Sequence, residues 1–155
     1  MTELPSDSTA APVRRSTAHG KTHTFQYVRG YRPLDLDLYV PAGVVSPPVV
    51  VWIHGGSFHS GDRRGMPPTV APGAVFDVLT SAGMAVASID YRLSGEAHFP
   101  AQLEDVHAAI AYLTSNAEAL GVRQGRLGVW GESAGGCLAA LAALTSAEVA
   151  AAVTW

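Results

Sequence analysis

LGVWGESAGGCLAALAAL, residues 127–144, decides the fold. An apolar, strand-like run breaks at Gly131, passes through Glu132-Ser133-Ala134, and becomes an alanine- and leucine-rich run of helical character. A buried strand turning sharply into a helix is the recurring step of an α/β protein. The turn holds the pattern G-x-S-x-G over Gly131–Gly135. A serine at such a turn has a strained backbone, and side chains at the flanking positions would collide with neighbouring elements. The turn also lifts the Ser133 hydroxyl clear of the sheet and aims the Ala134 N–H at the space beside it, where the helix dipole favours negative charge. A serine there is either a nucleophile or a simple helix cap. The pentapeptide alone does not decide, because a chain with 16 glycines produces it readily by chance.

The surrounding grammar is consistent with the first stretch. PPVVVWIHGG carries a continuous apolar run, Val49 to Ile53, of the kind buried on both faces of a parallel sheet. A Gly- and Pro-rich loop runs from Gly55 to Gly73, then GAVFDVLTSAG reads as a short helix closed by Gly83. MAVASID is a strand ending at Asp90, and YRLSGEAHFP leads to Pro100 at a first helical turn. Leu103, Val106, Ile110 and Leu113 then mark one apolar helix face. After the helix that follows Ser133, EVAAAVTW is again strand-like. Upstream, THTFQYVRG and LDLDLYVP form an antiparallel pair around residues 30–33. The second alternates Leu34, Leu36, Leu38 and Val40 against Asp35, Asp37 and Tyr39, a half-buried pattern. The expected architecture is α/β: a mainly parallel sheet with flanking helices, right-handed crossovers and antiparallel N-terminal strands.

Composition bounds the function. The 155 residues suit one domain, and 48% apolar against 15% charged residues excludes disorder throughout. A net charge of -3 gives no basic footprint for nucleic acid. Arg14-Arg15 and Arg63-Arg64 read as solvated loop charges. The one cysteine, Cys137, permits no intramolecular disulfide and no zinc site, and reads as a small buried filler on its helix. The N-terminus lacks a signal-type apolar core and no stretch is long enough to span a bilayer, so a soluble, cytoplasmic protein without membrane contact is expected. Residues 1–20 read as a flexible lead-in and residues 21–155 as the folded unit.

A second motif, HGGSF at His54–Phe58, follows the earlier buried strand. Consecutive glycines let backbone N–H groups point into a cavity. Such donors stabilise the oxyanion formed when a serine attacks an ester carbonyl, and losing one costs about 10²–10³ in rate. Gly55 and Gly56 are therefore candidate donors beside Ala134.

Four stretches in this order, VVVWIHGGSF, SIDYRLSGEAHFP, AQLEDVHAAIAYL and RLGVWGESAGG, are far more specific than either glycine motif. With them the chain resembles the α/β-hydrolase superfamily, within the hormone-sensitive-lipase-like and related bacterial carboxylesterases, a group that includes acetylxylan and feruloyl esterases. The resemblance implies a cofactor-free, metal-free esterase acting on small-molecule esters. Ser133 is then the nucleophile, Gly55, Gly56 and Ala134 form the oxyanion hole, and His54, Gly131 and Gly135 support the site. Many relatives have a third glycine where this chain has Ser57, whose own hydroxyl can offer a hydrogen bond. Asp90 and Arg92 read as structural support, with Arg92 pairing Asp105 or Glu104 to brace the loop. Ser57, Phe58, Tyr91 and Phe99, with Glu96 and His98, are the alternative pocket-lining candidates.

The chain order in that superfamily is Ser, then Asp or Glu, then His. All six histidines, 19, 23, 54, 59, 98 and 107, precede Ser133, and only one acid, Glu148, follows it. The expected reading is therefore the N-terminal part of a hydrolase domain, cut after the strand that follows the nucleophile helix, with acid and histidine beyond residue 155. Two other readings are a non-standard His54–Asp90–Ser133 triad and a non-catalytic hydrolase-like binding module or inactive relic. Acyl and alcohol specificity and oligomeric state leave no trace in these residues.

Overall fold

Val49–Ile53 forms strand β4 deep within a mixed sheet, in a computed structural model that describes residues 15–17, 20–30 and 32–155. The preceding strands are β1 (Arg15–Thr17), β2 (Gly20–Val28) and β3 (Leu34–Pro41). Helix α1 (Ala74–Ser81) leads to β5 (Ala85–Ile89); α2 (Ala101–Ser115) and α3 (Ala117–Leu120) lead to β6 (Leu127–Gly131); α4 (Ala134–Thr145) leads to β7 (Val149–Thr154). Among the described residues the sheet order is β1-β2-β3-β5-β4-β6-β7. The first four neighbours pair antiparallel, and β5, β4, β6 and β7 run parallel. This is the expected α/β architecture with antiparallel N-terminal strands.

The continuous apolar run of β4 has the physical cause anticipated for it. Val51 and Ile53 join Leu36, Ala87, Ile89 and Val129 under α2 and α4. Trp52 faces the other way, into a cluster with Val75, Phe76 and Leu79 of α1 and Val86 of β5. Both faces are covered, so neither tolerates polar alternation. Burying one such aliphatic side chain is worth about 1.5–3 kcal/mol. In α2 the buried Val106, Ile110 and Leu113 make the expected face, with Leu103 partly buried against it. Gly83 follows the end of α1 with φ 81°, the left-handed turn expected of it.

Several readings change. The lead-in assigned to residues 1–20 falls largely outside the described residues, but Arg15–Thr17 pairs with β2, and β2 starts at Gly20, so the sheet begins before residue 21. Cys137 is exposed. The buried positions of α4 are 134–136, 138, 139 and 142, which puts 137 on the outward stripe. On β3 the Asp face is not solvated: Asp37 is buried, with Thr24 Oγ1 donating to it at 2.6 Å. Arg63 is likewise no solvated loop charge. Its side chain is only 12% exposed and lies among Asp35, Asp37 and Asp90. No helix among the described residues is long and apolar enough to cross a membrane.

Arg92 braces the loop between β5 and α2 as expected. Its guanidinium reaches both oxygens of the buried Asp105 at 2.8–3.0 Å and the Ala101 carbonyl at 3.1 Å, and its backbone N–H also meets Asp105. Glu104 is a longer partner at 3.4 Å and is 63% exposed. Breaking the pair from the arginine side strands a buried carboxylate, while Glu104 contributes a solvated contact. Urea titration is expected to show Arg92→Ala losing about 2–3 kcal/mol and Glu104→Gln changing stability by less than about 0.5 kcal/mol.

Candidate active site

The parallel register brings three motifs to one edge. Ile53 stands opposite Ile89 of β5 on one side and Gly131 of β6 on the other. The residues just past these three strand ends are His54–Phe58, Asp90–Arg92 and Glu132–Ala134. Ligand sites of parallel sheets gather at such carboxyl ends. Glu148, the lone acid after Ser133, is tied to the opposite end: its carbonyl accepts from the Leu127 N–H that opens β6, and its carboxylate accepts from Ser146.

Ser133 is exposed and has φ 52° and ψ -115°, a conformation that costs a non-glycine residue of order 1–3 kcal/mol. Packing holds it there. Its N–H donates to the Trp155 carbonyl at 2.8 Å, its carbonyl accepts from Cys137 N–H at 3.1 Å, and Glu132 N–H reaches the Ile53 carbonyl at 3.3 Å. A side chain at Gly131 would collide with the backbone of Gly135, and one at Gly135 would collide with the Ile53 and His54 carbonyls. The two glycines let the start of α4 rest directly on the end of β4. Among the described residues the Ser133 hydroxyl has no hydrogen-bond partner.

The His54–Phe58 loop lies against this turn. A Cβ at Gly55 would meet the Glu132 side chain and stand 2.9 Å from the Glu132 carbonyl. Gly56 has φ 109°, and its carbonyl accepts from His59 and Ser60 N–H at 3.0 and 3.1 Å, closing a tight turn. The N–H groups of Gly55, Gly56 and Ala134 donate to no acceptor among the described residues. Ser57 and Phe58 both have positive φ; Ser57 is exposed and Phe58 partly buried against the core. Ser94 fastens the loop from outside: its N–H donates to the Phe58 carbonyl at 2.8 Å, and its hydroxyl lies 2.8 Å from His59 Nδ1.

His54 is buried, and its Nδ1 lies 2.7 Å from the Gly55 carbonyl. A carbonyl only accepts, so Nδ1 carries the proton. The ring stacks on Tyr91 at 4.3 Å between centroids. Burial pulls the histidine pKa below its ordinary value, keeping it neutral. Tyr91, a candidate pocket residue, does not line the open edge: it is buried, and its hydroxyl donates to the His54 carbonyl at 2.9 Å. Burial raises its pKa, which preserves that donor. Phe99 is largely exposed, and Glu96 accepts from Leu93 N–H and pairs with Arg32. Asp90 accepts from Arg63 twice, at its backbone N–H (2.8 Å) and at Nη1 (2.6 Å). His54 and Asp90 thus spend their hydrogen bonds on loop structure, and the structure does not join them to Ser133 as a triad.

Sequence reasoning missed Arg63, Gly61 and Glu132. The signal for the first two was the Gly61-Asp62-Arg63 run closing the glycine-rich loop, which periodicity arguments pass over. Glu132 was hidden as the variable residue of G-x-S-x-G.

The chain belongs to the α/β-hydrolase carboxylesterases, matching the BD-FAE family over residues 36–153. It is 40% identical over 96 residues to "Esterase LipI" of Mycobacterium tuberculosis, a match covering 62% of this chain and 28% of that one. It is 38% identical over 94 residues to "Lipase 2" of a Moraxella species, covering 61% and 21%. Among solved structures, "Bacterial Heroin Esterase" superposes with TM-score 0.66 at 31% identity, over 81% of this chain and 39% of that one. "Truncated form of carbohydrate esterase from gut microbiota" superposes with TM-score 0.72 at 29% identity, over 85% and 47%. The chain therefore spans about a quarter of the curated relatives it matches and under half of those solved structures.

The backbone contact at Gly135 has no flexible side chain to yield. Thermal or urea unfolding is expected to show Gly135→Ala losing more than about 3 kcal/mol or failing to fold. Gly128→Ala on β6, where a Cβ first meets Val50 Cγ2 at an ordinary 3.7 Å, keeps the fold.

Proposed function

We propose that this chain is the N-terminal part of a serine carboxylic-ester hydrolase for small acyl or aryl esters, working through an acyl-enzyme. Ser133 is the nucleophile, and the N–H groups of Gly55, Gly56 and Ala134 are the oxyanion donors. Residues 21–155 belong to the hydrolase domain, and the acid and histidine come from outside residues 1–155. The reading rests above all on an exposed, strained serine at the carboxyl ends of β4 and β6, beside Gly55 and Ala134 amides that donate to no acceptor among the described residues. The similarity to an esterase, a lipase and esterase structures supports the same reaction class.

The chemistry follows from the groups present. A base takes the Ser133 proton as Oγ bonds to the acyl carbon, and the carbonyl oxygen becomes an oxyanion facing fixed N–H dipoles. Those dipoles need no reorganisation, because Gly55 is held against Glu132 and Ala134 opens α4. Collapse expels the alcohol, which takes the proton, and water then releases the acid. His54 has its proton on Nδ1, engaged with Gly55, so its role is to hold the loop.

The test is hydrolysis of p-nitrophenyl acetate by the protein translated from the whole reading frame that contains residues 1–155. Ser133→Ala is expected to lower kcat by about 10⁴–10⁶ with little change in melting temperature, since the hydroxyl holds no hydrogen bond among the described residues. Undiminished hydrolysis by the variant would remove Ser133 from the mechanism, and absence of hydrolysis in the unsubstituted protein would favour a hydrolase-like binding module.

A further inference from the structure

We infer that Arg63 is a positioning residue for the Gly55 and Gly56 amides, acting through Gly61; this rests on the reading of those amides as oxyanion donors. The loop that starts at His54 laps back over itself and is pinned at both ends. Its first end is fixed by the His54–Tyr91 stack and the Tyr91 hydroxyl on the His54 carbonyl. At its return, Gly61 has φ 100° and lies directly against the first end: a Cβ there would stand 2.6 Å from His54 Nδ1 and 2.9 Å from the Gly55 carbonyl. Both atoms belong to the hydrogen bond that sets the Gly55–Gly56 peptide plane, which carries the Gly56 N–H, while the preceding plane with the Gly55 N–H is held by Tyr91 at the His54 carbonyl. Two residues later, Arg63 fastens the return to the sheet.

That fastening uses both the backbone and the guanidinium of Arg63. The backbone N–H donates to Asp90 Oδ1 at 2.8 Å, and the backbone carbonyl accepts from Ser88 Oγ at 2.5 Å. The guanidinium places Nη1 2.6 Å from Asp90, Nε 3.1 Å from Asp37 and Nη2 3.7 Å from Asp35. The three carboxylates come from β3 and the end of β5, so one planar cation ties the loop to two strands at once. Asp37 and Asp90 are themselves little exposed, at 5% and 15% of their side chains. Arg64 offers Asp37 only a longer contact at 3.4 Å from a side chain that is 63% exposed. A lysine keeps the charge but presents one compact head, which cannot span carboxylates on two strands as a guanidinium does. With Arg63 released, the lever arm of two residues lets Gly61 leave the His54–Gly55 bond, and the Gly55–Gly56 peptide loses its fixed orientation, disturbing the Gly56 N–H directly and the Gly55 N–H through the next bond.

The experiment reads those amides directly. Protein labelled with ¹⁵N-glycine gives one amide cross-peak per ordered glycine, and the wild type is compared with Arg63→Lys and Arg63→Gln. The expected result is that the Gly55, Gly56 and Gly61 peaks leave their wild-type positions or broaden away in Arg63→Gln. They move less in Arg63→Lys, while Gly121 and Gly125, at the other end of the sheet, stay in place. If Arg63→Gln does not fold, Arg63→Lys carries the comparison. Gly55 and Gly56 peaks unmoved in a folded variant would overturn the inference, as would shifts spread equally to Gly121 and Gly125. If the peaks respond to Arg63 but Ser133→Ala retains full hydrolysis, positioning of the loop stands and its oxyanion role falls.

Discussion

The start of α4 rests on the last carbonyls of β4, and the rest of the site follows from that contact. The space a side chain would need at Gly135 is filled by the Ile53 and His54 carbonyls. The helix can come this close only where the chain has no Cβ, so the turn before it is short and Ser133 is forced to φ 52°. That strain of a few kcal/mol is sustained by burial around it: Ile53, Leu138 and Ala139 are fully enclosed in one cluster. The same approach sets Gly55 against Glu132, in the turn from which Ala134 opens α4.

Two arginine–carboxylate clamps then fix what the core leaves free. Arg92 and Asp105 hold the segment after β5 to α2, and Arg63 with Asp37 and Asp90 holds the return of the glycine loop to β3 and β5. Asp90 connects the two, because it immediately precedes the buried Tyr91 whose ring supports His54. Tyr27 adds a bond from its hydroxyl to the Asp90 carbonyl, reaching across from β2. Ionic groups are expensive inside a protein unless paired, so such clamps do more for geometry than for net stability.

The sequence made the sheet legible because each signal was local. Val49–Ile53 is apolar at every position, and a strand covered on both faces demands that. Glycines at 131 and 135 announced the close approach, and the Arg92–Asp105 pairing was within reach of spacing along one loop and helix. What stayed hidden was long-range. Asp37 alternates with leucines exactly as a solvated residue does, and only the Arg63 loop, 26 residues on, buries it. Tyr91 and Cys137 were misassigned for a related reason: which side of a loop or of a small-residue helix faces inward depends on neighbours that periodicity does not name. A helix such as α4, apolar nearly all round, gives no amphipathic direction to read.

The role proposed for Ser133 is attack on an ester carbonyl. Its most direct measurement is peptide mapping by mass spectrometry after a fluorophosphonate reacts with the protein translated from the whole reading frame. A single phosphonyl adduct is expected on the peptide containing Ser133, lost when the protein is first unfolded. An adduct on another serine, such as Ser57 or Ser94, in protein that hydrolyses aryl acetates would contradict it.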